Sequence, residues 1–169
     1  IDGNQKRYII TPKVFRAIGF NPEEVVKASE ADLSNYQEGA NIDMTSVFPT
    51  GNLFQDKKNG GIWYVKDNIK HAIVSKEILS SRFGARKAVK VSTAELDKYT
   101  KGEPITFNDG QLVAIKGIPI IYVISNGQRR HIKSLETFKT LGFKQANVLR
   151  TSEKAVTIHP LGDPIDINL

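Results

Sequence analysis

The chain of 169 residues carries 24 Lys and Arg against 18 Asp and Glu, is 40% hydrophobic and contains no cysteine. That length suffices for one ordinary core, or for a short array sharing a continuous core, and the lack of cysteine excludes disulfides, thiolate metal sites and cysteine nucleophiles. No stretch nears the roughly 18 consecutive apolar residues of a membrane-spanning helix, so no membrane span is expected.

The formal charge of +6 is uneven: residues 1–48 hold five cations and seven carboxylates, residues 49–108 eleven and six, residues 109–169 eight and five. A positive excess suits anionic partners such as nucleic acid, teichoic acid or acidic polysaccharide, or simply keeps a solvated surface soluble. The chain opens at Ile1 without a basic-then-apolar leader, which fits either a processed protein or a piece of a longer one.

In chain order, Asp2-Gly3-Asn4 reads as a turn, with Tyr8 on the strand that leaves it. Thr11-Pro12 supplies a capping side chain and a proline at the first helical position. Val14, Phe15 and Ile18 follow at helical spacing, and Gly19 is the stop. Val25-Val26 reads as a brief extended run, Ser29 as the start of a second short helix, and Gly39-Ala40-Asn41-Ile42 as a tail.

Next, Asn52-Leu53-Phe54 and Ile62-Trp63-Tyr64-Val65 read as strands, with Gly60-Gly61 as turn chemistry between them. Asp67-Asn68 turns the chain back into His71-Ala72-Ile73. Ser75 caps a helix that ends in Ser81-Arg82-Phe83-Gly84, unlike the Gly-Phe ending of its counterparts. Val89-Lys90-Val91 is extended, and Ser92-Thr93-Ala94-Glu95 has the capping-box pattern in which the Glu reaches back to the cap. Gly102 to Ile105 forms a second tail.

Pro104-Ile105-Thr106-Phe107 reads as a further strand, turned by Asn108-Asp109-Gly110 into Leu112-Val113-Ala114-Ile115. Ile121 to Ile124, Asn126-Gly127 and Arg130-His131-Ile132 repeat the hairpin, and Ser134, Leu135, Phe138, Leu141 and Gly142 repeat the first helix. A second helix is expected from Thr151. Gly162 to Ile165 is again the tail, and Asp163 to Ile167 looks like the opening strand of another unit, or a strand that completes the first unit's sheet.

These stretches align. Ile9, Ile73 and Ile132 share one column, as do Thr11, Ser75 and Ser134; Val26, Val89 and Val148; and Gly39, Gly102 and Gly162, the last spaced 63 and 60 residues apart. The expected fold is α+β and β-dominated, a tandem array in one continuous domain. Each unit would be a short antiparallel meander of up to about four strands followed by two short helices. Residues 1–48 form an incomplete first repeat, 49–108 the second and 109–169 the third.

Chemistry-bearing constellations are scarce. His71, His131 and His159 lack metal-ligand spacing and read as strand or surface residues; no metal site, catalytic residue or cofactor is expected. No nucleophile elbow, phosphate loop or dinucleotide fingerprint occurs. Two recurrent features remain as candidate ligand-binding residues. Lys6-Arg7, Lys70-His71 and Arg129-Arg130 put basic pairs just after each hairpin turn, either lining a groove for an anionic polymer or covering apolar surface with their stems. Trp63, Tyr64, Tyr122 and Tyr8 are either stacking platforms for sugars or bases, or packing residues.

The run Tyr122 to Ser134 (Y-V-I-x-N-G-x-R-R-x-I-x-S), the helix ending Leu141-Gly142-Phe143, and Gly162-Asp163-Pro164-Ile165 together resemble a tandem repeat of secreted and cell-surface bacterial proteins. That repeat is often appended to cell-wall hydrolases or S-layer-like proteins. The resemblance implies an extracellular or cell-surface, non-catalytic module that attaches to cell-wall or other polysaccharide, or assembles with copies of itself into a layer or filament. A nucleic-acid or other anionic-polymer binder using the basic columns is the rival, distinguished by a steep loss of binding with salt.

Overall fold

The structure, a computed structural model, describes residues 1–167; Asn168 and Leu169, the end of the span 109–169, lie outside the described residues. The protein is α+β and β-dominated. It divides into two compact units, one made of residues 1–52 with 66–68 and the other of the remainder.

In the first unit, β1 (Gln5–Lys6) leads through α1 (Pro12–Ile18), a 3-10 turn at Pro22–Glu24 and α2 (Glu30–Ser34) to β2 (Gln37–Glu38). β1 and β2 pair in parallel, and an isolated parallel bridge joins Ile9 to Ile42. Thr11 caps α1 as expected, its Oγ1 accepting from the Val14 N–H at 3.2 Å. Gly19, at φ 88°, ends the helix and brings Phe20 back to 5.4 Å from Phe15. That is the apolar contact of a helix closed by a left-handed residue. The reciprocal capping box is at Ser29 and Asp32. Val25-Val26 forms no strand; Val26 is 86% exposed.

The second unit begins with β3 (Asn52–Asp56) and β4 (Ile62–Lys66), save their end residues Asn52 and Lys66, and goes on through β5 (Ile69–Ile73), α3 (Lys76–Phe83), β6 (Val89–Val91), α4 (Thr93–Leu96) and β7 (Thr100–Lys101). It continues with β8 (Leu112–Ile115), β9 (Ile121–Ser125), β10 (Gln128–Ile132), α5 (Leu135–Thr140), β11 (Val148–Thr151), α6 (Glu153–Thr157) and β12 (Leu161–Ile165). Two five-stranded sheets result, ordered β6-β3-β4-β5-β7 and β11-β8-β9-β10-β12. In each, three consecutive strands form the centre, and each edge strand is parallel to its neighbour.

This differs from a purely antiparallel meander. Pro104–Phe107 carries no strand ladder, and the outer strands come instead from segments that follow the helices. Parallel neighbours need a crossover connection, and the short helices supply it. Asp163 to Ile165 is likewise part of β12, which pairs with β10 rather than opening a further meander or joining β1.

Local chemistry fixes the turns and helix ends. Asp67 and Asn68 (φ 48° and 66°) and Asn126 and Gly127 (φ 52° and 70°) have the left-handed pair that a two-residue hairpin demands. The Asp109 carboxylate accepts from the N–H groups of both Asn126 and Gly127 at 2.9 Å. Ser75 and Ser134 cap α3 and α5. α3 does end differently, at Gly84 with φ 59° and ψ −129°. The cap of α6 is Ser152, one residue beyond the expected Thr151, which instead ends β11 fully buried. Glu95 does not close a box with Ser92; its carboxylate takes Lys98 and Tyr99.

Two clusters make the core of the last sheet. Val113, Ile124, Ala155 and Val156 pack with Phe107 and with Ile78 of α3; Leu112, Val123, Ile132 and Phe138 pack together in the other. Each fully buried aliphatic side chain contributes about 1.5–3 kcal/mol. Glu77 of α3 reinforces the first cluster by accepting from Thr151 Oγ1 at 2.9 Å and pairing with Lys116 at 3.2 Å. Among the described residues, no helix is long and apolar enough to cross a membrane.

Candidate functional site

The basic columns are spent largely on the protein itself. The Arg7 Nε–H donates to the Ala40 carbonyl at 3.0 Å, His71 Nδ1 to Glu103 at 2.7 Å, and Arg130 Nε to Asp163 at 2.8 Å. In all three places the acceptor follows a glycine: Gly39, Gly102 or Gly162. A Cβ built on these glycines would meet Arg7 Cγ at 2.9 Å, His71 Cε1 at 2.8 Å and Arg130 Cγ at 3.2 Å. The glycine therefore lets the side chain lie flat across the parallel partner and reach the next carbonyl.

The preceding cations serve a second purpose. Lys70 Nζ donates to the carbonyl of Leu96, the last residue of α4, at 2.8 Å, and pairs with Asp97 at 3.0 Å. Arg129 donates to the carbonyls of Thr157, the last residue of α6, and of His159. Both sites satisfy helix C-terminal carbonyls with a cation, which the helix dipole also favours. Lys6 instead pairs with Glu38 across β1 and β2 at 2.9 Å.

Arg7 does more still. It pairs with Asp67 at 2.9 Å and with Asp2 at 3.3 Å, and its side chain is only 7% exposed. Partial burial pushes the Asp2 carboxyl upward, but the bonds and charges of Lys66 and Arg7 outweigh it and hold that carboxyl below its ordinary value. The same network, Asp67 first, raises the Arg7 guanidinium above its ordinary value against the opposing effect of burial.

The aromatic candidates separate. Trp63 is half-buried beneath the Lys70 ammonium, 5.3 Å from the ring centroid. Tyr64 packs against Phe83 at 4.9 Å and His71 at 6.5 Å, which makes it a packing residue between β4, β5 and α3. Tyr122 is half-buried, 5.9 Å from His131. Trp63 and Tyr122 hold corresponding places in the two hairpins and both are half-buried; Tyr122 packs against the cluster of Val113 and Ile124. Tyr8 is 67% exposed in the first unit and lines a 510 Å³ groove with Ile10, Phe15, Pro22 and Val25.

Several consequential residues carried no signal in the sequence. His159, read as a strand or surface residue, is 1% exposed. Its Nε2 accepts from the Phe107 N–H at 3.1 Å while Nδ1 donates to the Gly127 carbonyl at 2.8 Å, which fixes one neutral tautomer. Asp56, 2% exposed at the end of β3, accepts from Thr93 Oγ1 and the Lys58 N–H.

Neither is poised for chemistry, because each polar atom already has a partner inside the fold. Among the described residues, no group of three His, Cys, Asp or Glu side chains is placed to hold a metal ion. No protein-family model matches the chain, and no curated protein is significantly similar to it.

Proposed function

We propose that the chain is a non-catalytic tandem-repeat module of an extracellular or cell-surface protein, attaching to cell-wall or other polysaccharide. The two sheets with one strand order, and the recurring bond from Arg7, His71 and Arg130 to the carbonyl after a glycine, support the repeat reading.

The observation that carries the functional reading is the internal engagement of the basic columns. Cations committed to helix ends and backbone carbonyls are poor phosphate ligands, whereas Trp63 and Tyr122 are half-buried aromatic residues at corresponding places in two sheets. Stacking on sugar faces uses rings of this kind, and corresponding sites on one chain gain avidity from a repetitive polymer. The extracellular placement rests on the repeat signature of Tyr122 to Ser134 and on the lack of cysteine.

Co-sedimentation with insoluble cell-wall polysaccharide, at low and high salt, tests the proposal. The expected result is pelleting that survives high salt and is lost in a Trp63→Ala/Tyr122→Ala double variant that still folds. Binding to DNA-cellulose that collapses with salt, and none to the wall, would instead favour the basic columns through counterion release.

A further inference from the structure

We infer that the cleft of the second unit between α3 and residues 143–149 is a binding site for a neutral sugar chain. The inference rests on the polysaccharide reading. It goes further by naming a site that shares no lining residue with Trp63 and Tyr122, and a ligand class without charge.

The cleft encloses about 540 Å³, within the range of small-ligand sites. Its polar lining comes from three elements. α3 brings Ser80 and Ser81, Gln111 stands just before β8, and Asn147 ends a 3-10 turn just before β11. Phe143 and Leu149, both half-buried, supply the apolar part. None of the described residues lining the cleft is ionisable. Arg82 and Lys144 adjoin lining residues in sequence without lining it themselves, and Arg82 is turned onto the Asn108 side chain.

The bonds already made inside the fold decide what remains for a ligand. Ser80 and Ser81 donate their hydroxyl protons to the carbonyls of Glu77 and Ile78, each at 3.2 Å, and keep oxygen lone pairs that can accept. Gln111 Oε1 accepts from the Asn108 N–H at 2.7 Å, which orients the carboxamide and leaves Nε2 to donate. The Asn147 side chain is exposed and has no hydrogen-bond partner among the described residues, so it can both donate and accept.

This set matches a sugar, whose hydroxyls donate and accept at once. A carboxylate or phosphate has no proton for the two serines, and no cation lines the cleft to offset its desolvation. A wholly apolar ligand would cover the amides of Gln111 and Asn147 without pairing them. Phe143 and Leu149 can meet the C–H face of a pyranose ring while the polar groups hold its hydroxyls.

The test is a heteronuclear NMR titration of the whole nitrogen-labelled chain with cellotriose and chitotriose, and with trigalacturonate as the anionic control. The expected result is saturable shifts of the Gln111 and Asn147 side-chain amides with a neutral trisaccharide, and none with trigalacturonate. Asn147→Ala weakens that binding by about 3–10-fold, and Ser80→Trp, which fills the cleft, abolishes it. Both positions are exposed, so neither change disturbs the core, and circular dichroism confirms the fold. Trp63→Ala/Tyr122→Ala leaves the titration unchanged.

The absence of saturable shifts with either neutral trisaccharide overturns the proposal. So do a preference for trigalacturonate, shifts confined to other residues, or an affinity unmoved by both Asn147→Ala and Ser80→Trp. Wall co-sedimentation separates the two failures. Pelleting of the unaltered chain without trisaccharide binding removes the cleft alone, whereas a chain that never pellets with the wall removes the attachment reading.

Discussion

Arg7 gathers four obligations in one side chain: the carbonyls of Ala40 and Pro49, and the carboxylates of Asp2 and Asp67. Arg7→Ala removes the cation from Asp67 and leaves Asp2 with Lys66 alone. It is expected to lower stability by about 1–3 kcal/mol, read as a lower urea midpoint with no change in wall binding. Asp2 gives a pH signature. Its carboxyl sits below the ordinary 3.8 in the folded chain, so its contribution is complete above that value and is lost as the pH falls through the folded value. Asp2→Asn is therefore less stable at neutral pH and loses less on acidification to pH ~3, measured as the difference in urea midpoint between the two conditions. His159 makes a harder test of burial. His159→Ala strands the Phe107 N–H and the Gly127 carbonyl, and a cost of about 2–4 kcal/mol is expected from two unmet polar groups with a cavity beside them. Nothing in the run Ile158-His159-Pro160 marks this role, because both partners lie about thirty or more residues away.

At the scale of the element, helices of four to eight residues cannot stand alone in water. They persist through their caps and through one or two buried side chains such as Val14, Ile78 and Phe138. Ser75→Ala removes the acceptor of the Ile78 N–H and is expected to cost about 1 kcal/mol in chemical denaturation. Gly102→Ala tests the parallel edge, since the new methyl would lie 2.7 Å from Ile69 Cγ2 and 2.8 Å from His71 Cε1. A loss of about 1–3 kcal/mol is expected, with local loosening of β7 in hydrogen exchange. Caps and tight turns were legible in the sequence because their chemistry spans three or four residues, as at Thr11, Ser75, Ser134 and Asn126-Gly127. Among the edge strands, Val89–Val91 was legible as an extended run and β7 was not. Thr100–Lys101 is two exposed polar residues with no alternation, and it is a strand only because Ile69 and Lys70 present a ladder some thirty positions earlier.

At the scale of the whole molecule, the sequence shows where charge recurs but not where it points. Lys6-Arg7, Lys70-His71 and Arg129-Arg130 read as columns on a strand; only the fold shows them turned onto Glu38, the carbonyls of Ala40, Glu103 and Asp163, and the ends of α4 and α6. The aromatic set was legible as residues and not as a grouping. Strand pairing gave Tyr64 to Phe83, laid Trp63 beneath Lys70, and left Tyr8 in the other unit. With Arg7, Lys70, Arg129 and Arg130 engaged in this way, the net charge of +6 predicts weak, non-specific attraction to nucleic acid at low salt. Retention on heparin should accordingly vanish at modest ionic strength, while sedimentation with polysaccharide persists.

The parallel pairing of β10 with β12, Arg129 against Leu161, also has a mechanical meaning. Tension drawn through the chain pulls the earlier strand toward its beginning and the later one toward its end. The bonds between them are then loaded together in shear, and the strands are not peeled apart one bond at a time. β5 with β7 and β1 with β2 have the same polarity. A module strung between a wall and a moving load would hold as a series of latches, each yielding in turn and paying out some thirty residues of slack as it lets go.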